Sequence, residues 1–309
     1  MSNQVLNAIS LGKQTAWETP VVPDVSIPVN FTGGIQIDQD TQIISALRTQ
    51  MAKNLYAQKG NTKYEGDFEM VLLADTVGYF LLSWFGAVAT TGAGPYVHAF
   101  TEDEEKIAYT IEQNFQDLVL RFTGCIANTL KFTTEVGNPV VVAAGIKAKG
   151  FAPATAITPV YSDTVPFLSA SAEIKVDGSV IASFQTCEIE LVNNLEMKYV
   201  IGGEGEPQYK YTTGSEVNVS LEGYFNDDMK TKVWDKFENG DLIQIVLTLN
   251  GTTPTNEKLV ITIPKVAITK TETPIAEDYN KISLEGKGLF DADTASLVTA
   301  ELTNGVVSY

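Results

Sequence analysis

The sequence predicts a mainly β protein: two tandem β-sandwich or barrel-like domains, each with one short α-helix. Three observations predict it. A strand–helix–strand block occupies 214–251. A similar block stands upstream at 66–86, GDFEMVLLADTVGYFLLSWFG. A second pair of segments, 120–151 and 259–290, shares one order: strand, polar break with a Pro, strand, then a Lys/Gly ending before Phe151 or Phe290. Two copies of one unit are the simplest account.

In the 214–251 block, Val217, Val219 and Leu221 alternate with Asn218, Ser220 and Glu222, the pattern of a strand with one buried face. Asn226, Asp227 and Asp228 offer N-cap oxygens and negative charge to a helix start. Met229, Val233, Trp234 and Phe237 then fall on one helical face, and Gly240 stops the helix. Ile243, Ile245, Leu247 and Leu249 resume the period of two. In the upstream block Asp75 is the candidate N-cap, and Phe80, Leu81, Trp84 and Phe85 anchor the helix before Gly86. The longer segment 87–106 takes the place of a compact turn in the first copy.

The remaining elements follow in order. Pro20, Pro23 and Pro28 make 1–30 an extended surface path. Trp17 there packs on a neighbouring domain or subunit, or covers the core. Residues 31–65 read as a strand, a long hairpin-like polar arm over 43–63, and a return. The Pro/Ala/Thr-rich 152–168 is the linker candidate, which divides the chain into 1–155 and 156–309. In 169–200, Asp177-Gly178 is a hairpin turn between Glu173–Val176 and Val180–Ala182. Thr186, Glu188 and Glu190 share one strand face; Cys187, Ile189 and Leu191 share the other. Residues 291–309 are a tail or a last strand.

The chain has 309 residues and a formal net charge of −17. Length and a hydrophobic content of 44% allow a sizeable core. The acidity disfavours tight binding to a phosphate backbone, which needs clustered Lys and Arg. Two cysteines, Cys125 and Cys187, are too few for a disulfide framework and read as buried thiols, a single bridge staying open. No leader pattern and no membrane-length apolar run is present, so synthesis and folding in the cytoplasm without a membrane anchor are expected.

Nothing in the sequence makes a positive case for catalysis. His98, the only histidine, lies in a Gly/Pro loop without partners for a triad or metal site. GAGPY and GGEGEP lack the context of a phosphate cradle. The acidic run Glu102–Glu105 lacks calcium-loop spacing, and Asp291 with Asp293 is a weaker version of it. Glu188 and Glu190 read as a solvent-facing pair on a strand. No cofactor is expected.

The segments AISLGKQTAWETPVVP, KYEGDFEMVLLADTVGYFLLSWFG, FTGCIANTLKF and SFQTCEIELVNNLE, in this order, resemble the major tail (tail tube) proteins of long-tailed, non-contractile bacteriophages. The resemblance spans roughly 7–290 and is nearest to the group with two tube domains per chain. It implies a virion protein that polymerises into stacked rings around a tape-measure protein, bounded by tail terminator and distal tail proteins. It also implies trimeric rings with pseudo-sixfold symmetry, and a lumen that conducts DNA without binding it. An acidic lumen would repel phosphates, and Glu173, Glu188 and Glu190 are the candidates to line it. The arm, with Arg48, Lys53, Tyr56 and Lys59, is the candidate contact between stacked rings. The alternatives are another tail or neck component and a tandem β-sandwich adhesin. Trp17, Trp84 and Trp234 do not supply the aromatic platform an adhesin needs.

Overall fold

The computed structural model describes residues 7–29, 33–45, 53–115, 118–251, 256–273 and 280–309. The first part of the chain runs β1 (Asn7–Lys13), β2 (Val25–Ile27), β3 (Gln36–Ser45), β4 (Asn54–Val71), α1 (Ala74–Phe85), β5 (Gly86–Thr91), β6 (Tyr96–Glu102), β7 (Tyr109–Phe115), β8 (Leu118–Glu135), β9 (Val141–Ala148) and β10 (Gly150–Pro153). The second runs β11 (Ala172–Val176), β12 (Ser179–Val180), β13 (Phe184–Val192), β14 (Leu195–Lys198), β15 (Tyr209–Thr212), β16 (Glu216–Tyr224), a helical segment, β17 (Ile243–Asn250), β18 (Lys258–Glu272), β19 (Lys281–Gly288) and β20 (Thr299–Asn304). That helical segment, α2, joins Asp227–Met229, a π turn over Lys230–Trp234 and Asp235–Asn239. The fold is mainly β.

The strand pairings repeat. In the first part β1 pairs with β7, β7 with β8, β8 with β9, β9 with β4 and β4 with β3. In the second, β11 pairs with β17, β17 with β18, β18 with β19, β19 with β16 and β16 with β13. The irregularities repeat as well. The long strand β8 shifts register between its pairings at Phe122 and Cys125 and again between Ala127 and Thr129. Strand β18 does so between Ile263 and Val266 and again between Ile268 and Lys270. Bulges bend a strand, and here they let one long strand serve both layers of a sandwich. Its first portion joins β7 or β17; its second joins β9 or β19.

The inner faces of both layers share one core, in which Phe68, Phe122, Phe132, Ile189, Leu221, Leu247 and Ile261 are essentially inaccessible. Helix α1 closes it with Phe80, Leu81, Trp84 and Phe85, none more than 3% exposed. Helix α2 buries Met229 and Val233 fully, while Trp234 is half-buried against the core and Phe237 sits beside it at 6.3 Å between ring centroids. Asn226 caps α2 as expected, its side chain accepting from the Met229 amide at 2.9 Å.

Four expectations are corrected. Asp75 is not the α1 cap: Leu73 holds that position in extended conformation, because the chain stays extended while Leu72 exchanges backbone bonds with Val140 and Phe167. The Asp75 carboxylate instead accepts from Ser162 Oγ at 2.7 Å and from Thr164 Oγ1. The segment 152–168 is accordingly not a free linker. It is strapped to the first part of the chain, with Ile157 N donating to Glu112 and Phe167 1% exposed. The 87–106 segment is no loop: β5 and β6 form a hairpin, and β6 pairs with β20, which makes 291–309 contain a last strand rather than a tail. His98 is therefore a buried strand residue, between Thr90 Oγ1 at 2.9 Å and the Val306 carbonyl at 2.9 Å.

Both cysteines are free and 1% exposed. Burial pushes the Cys187 thiol up to about 12 and raises Cys125 similarly, with Tyr109 and Tyr309 also raised by burial. A neutral acid whose folded pKa is raised contributes stability that is full below its unfolded pKa and is lost as pH rises toward the folded one. Melting temperature is therefore expected to hold up to about pH 9 and fall steadily toward pH 12 in a thermal series, with no thiol labelling of the native protein at pH 8. A flat profile to pH 11 would refute this account of the core.

Candidate functional site

Two surfaces of the chain point to assembly: the outward face of the sheet that spans both parts, and its unpaired edges. The sheet is continuous because the second portion of β8 pairs with β13, from Thr129↔Val192 to Glu135↔Thr186. Side chains alternate along these strands. Cys187, Ile189 and Leu191 face the core, and Glu188 and Glu190 face out. Glu188 is bridged by Lys131 Nζ across the joint at 2.8 Å. Glu190 accepts from Asn218 Nδ2 at 3.1 Å. The same face carries Glu222 with Lys281 at 2.7 Å and Glu285 with Lys270 at 3.6 Å. Half-exposed pairs of this kind gain little against solvent screening and side-chain entropy, so they pattern the surface more than they stabilise the subunit.

Glu173 is not on this face. It lies on β11, in the other layer, where Ile174 and Val176 take the core positions and Glu173 pairs with Lys175 at 2.7 Å. Sequence alternation identified an outward residue in both cases but carries no information on which layer it leaves.

The outward face has two shallow polar recesses at equivalent places. One is lined by Gly34, Gln36, Glu65, Asn128 and Lys147; the other by Glu188, Glu190, Asn218, Thr269 and Lys287. Neither brings together a nucleophile, a base and an oxyanion donor. Among the described residues no group of three or more His, Cys, Asp or Glu is placed to hold a metal ion, and no helix is long and apolar enough to cross a membrane.

The arm is a β-hairpin. β3 and the first part of β4 pair from Gln36↔Glu65 to Ser45↔Asn54, and every residue of β3 is exposed. Lys53, Tyr56 and Lys59 lie along its return, with Tyr56 65% exposed; Arg48 lies outside the described residues. Ile43 and Ile44, at 60% and 46% exposed, put one large apolar side chain on each face of the arm, which its polar composition concealed. Its counterpart is the hairpin β14–β15, where Leu195↔Thr212 and Lys198↔Tyr209 match Thr41↔Lys59 and Ile44↔Tyr56. That hairpin is docked. Leu195 is 1% exposed in a satellite cluster with Ala108 and Ile126, flanked by Trp17 and Met197. Asn193 Nδ2 donates to the carbonyls of Trp84 and Ala127, and Lys147 Nζ donates to the Leu195 carbonyl at 2.7 Å. The sequence treated this joint as a linker problem; the residues that make it are a buried asparagine and a hairpin, signals too common to single out.

As the described residues show it, this is a β-sandwich subunit whose polar outer faces, open sheet edges and extended arm are surfaces suited to assembly with like chains. The profile of the phage tail tube protein family matches residues 5–288, and the chain belongs to that family. Comparison with curated proteins returned no match. The chain is thus a structural protein of a bacteriophage tail, located in the virion tail and self-assembling into the tube with other tail proteins.

Proposed function

We propose that the chain forms rings which stack into the tail tube, and that this tube conducts DNA during ejection. The observation that carries it is the continuous sheet across β8 and β13. One face of that sheet is covered by its own core and second layer, which need more room than a bare polar face. Closed into a ring, the sheet must therefore turn the bare face inward. The face with Glu188 and Glu190 becomes the lumen wall, while Glu173 lies on the outer layer. Its carboxylates repel phosphates, and Lys131, Lys270 and Lys281 are each held against one of them, so a duplex slides without lasting contact.

We keep 1–155 and 156–309 as the two tube domains. Three chains then supply six units. At four strands per unit, a spacing of about 4.8 Å and a tilt of roughly 40°, the backbone barrel is roughly 45–50 Å across. A tape-measure protein occupies it before DNA does. Tail terminator and distal tail proteins close its ends, and assembly takes place in the host cytoplasm. The arm and both open edges are contacts between copies. Purified chain at rising concentration, examined by negative-stain microscopy and sedimentation, is expected to show rings and then tubes. A monomer at all concentrations would overturn the reading.

A further inference from the structure

The joint between the two parts of the chain is built from elements that occur twice, and one set is left unused. The joint pairs the second portion of β8 with β13. The counterpart of β8 is β18, and the counterpart of β13 is β3. Among the described residues, β18 beyond Ile268 pairs only with β19, and β3 pairs only with β4. Each presents a row of unpaired backbone groups, the usual template for another strand.

The ladders fix which residues correspond. Thr129 faces Gly145 and Leu130 faces Ala144 just past the bulge of β8; Lys270 faces Glu285 and Thr271 faces Leu284 just past that of β18. Ile37 faces Tyr64 as Leu191 faces Val217. We propose that the joint recurs between chains. The open edge at 270–272 pairs antiparallel with 36–38 of a second copy, and that copy's arm lies over the second part of this chain as β14–β15 lies over the first. The register sets Lys270 opposite Asp38, Thr271 opposite Ile37 and Glu272 opposite Gln36. This rests on the tube reading and adds the identity and register of the strands that meet.

Three observations support a second copy as the occupant. Lys270 and Asp38 are opposite charges directly opposed, a favourable cross-strand pair. Ile37 is 40% exposed where its counterpart Leu191 is 0% exposed, so the isolated chain leaves uncovered an apolar residue that the joint covers. Leu242 is 45% exposed, and its counterpart Ala108 is 5% exposed beneath Leu195. Ile43 of a neighbour's arm, the counterpart of Met197 that flanks the Ala108 cluster, fits there. The arm thus grips the next chain within a ring, rather than the ring above.

Disulfide trapping in the full-length chain tests this. A directly opposed antiparallel pair places Cα atoms about 4.5–5.5 Å apart, within disulfide range, whereas a diagonal pair exceeds it. Gln36→Cys/Glu272→Cys, oxidised after assembly, is expected to give a reducible ladder of multimers. Its yield should be roughly tenfold above the diagonal variant Gln36→Cys/Lys270→Cys. An equimolar mixture of the two single variants should give dimers and nothing longer. Lys131→Cys/Glu190→Cys, opposed within one chain, should close internally and so reports folding and oxidation, and the wild-type chain, whose cysteines are buried, should stay silent. Tubes without a ladder above the wild-type background would overturn the register while leaving the tube reading intact. A monomer with a closed internal bond would overturn both.

Discussion

Replacing Trp84 by alanine is expected to lower the stability of the free subunit by about 3–5 kcal/mol, the range for truncating a fully buried aromatic. The side chain is 0% exposed, packs edge-on against Phe85 at 4.7 Å between centroids, and lies under the Lys106 ammonium at 5.4 Å. Its carbonyl also receives the Asn193 amide, so the cavity would open beneath the joint between the two parts of the chain. The indole N–H has no acceptor among the described residues. Phenylalanine would remove that unsatisfied donor and leave a smaller void, so Trp84→Phe is expected to cost less than about 2 kcal/mol. Trp234→Ala, at the half-buried equivalent, should cost less than Trp84→Ala because less surface is lost from the core. Urea midpoints of the monomeric chain rank the three. An alanine variant at position 84 within 1 kcal/mol of wild type, in the sense of the usual scatter for surface changes, would mean that α1 does not close the core.

Ile37→Asp is expected to leave the subunit folded and prevent tube growth. The side chain is 40% exposed on a strand that is exposed throughout, where substitutions change stability by roughly 0.5 kcal/mol or less. In the seam it would be covered as Leu191 is. Covering the exposed two fifths of such a side chain contributes roughly 0.6–1.2 kcal/mol at each seam, and a carboxylate there must in addition be desolvated. The threshold concentration for assembly should rise at least about tenfold, since 1.4 kcal/mol is a factor of ten, while Ile37→Val keeps it near wild type. Light scattering against concentration, with circular dichroism of the dilute chain, separates the two effects. Tubes at the wild-type threshold would show that this residue stays uncovered in the assembly.

Much of the architecture was legible because burial writes itself into period. The alternation at Val217–Leu221 and Cys187–Leu191, the Asn226 cap, the Asp177-Gly178 turn and the two helix faces are local signals, and each depends on backbone geometry that a few residues determine. The duplication was visible for the same reason: equal periods in equal order leave similar strings. His98 and Asp75 were misread because their surroundings come from far along the chain. The acceptors of His98 include Val306, and the donors to Asp75 are Ser162 and Thr164.

The sequence by itself determined a duplicated, mainly β subunit whose strands turn acidic residues outward, since alternation and capping are properties of neighbouring residues. Only the tertiary structure decided which outward acids share a face, that the 87–106 segment joins the second sheet through β6 and β20, and which strand edges are occupied. Edges, layers and seams arise from pairings between residues tens to hundreds of positions apart, and a period of two specifies that a side chain points outward without specifying what it will meet there.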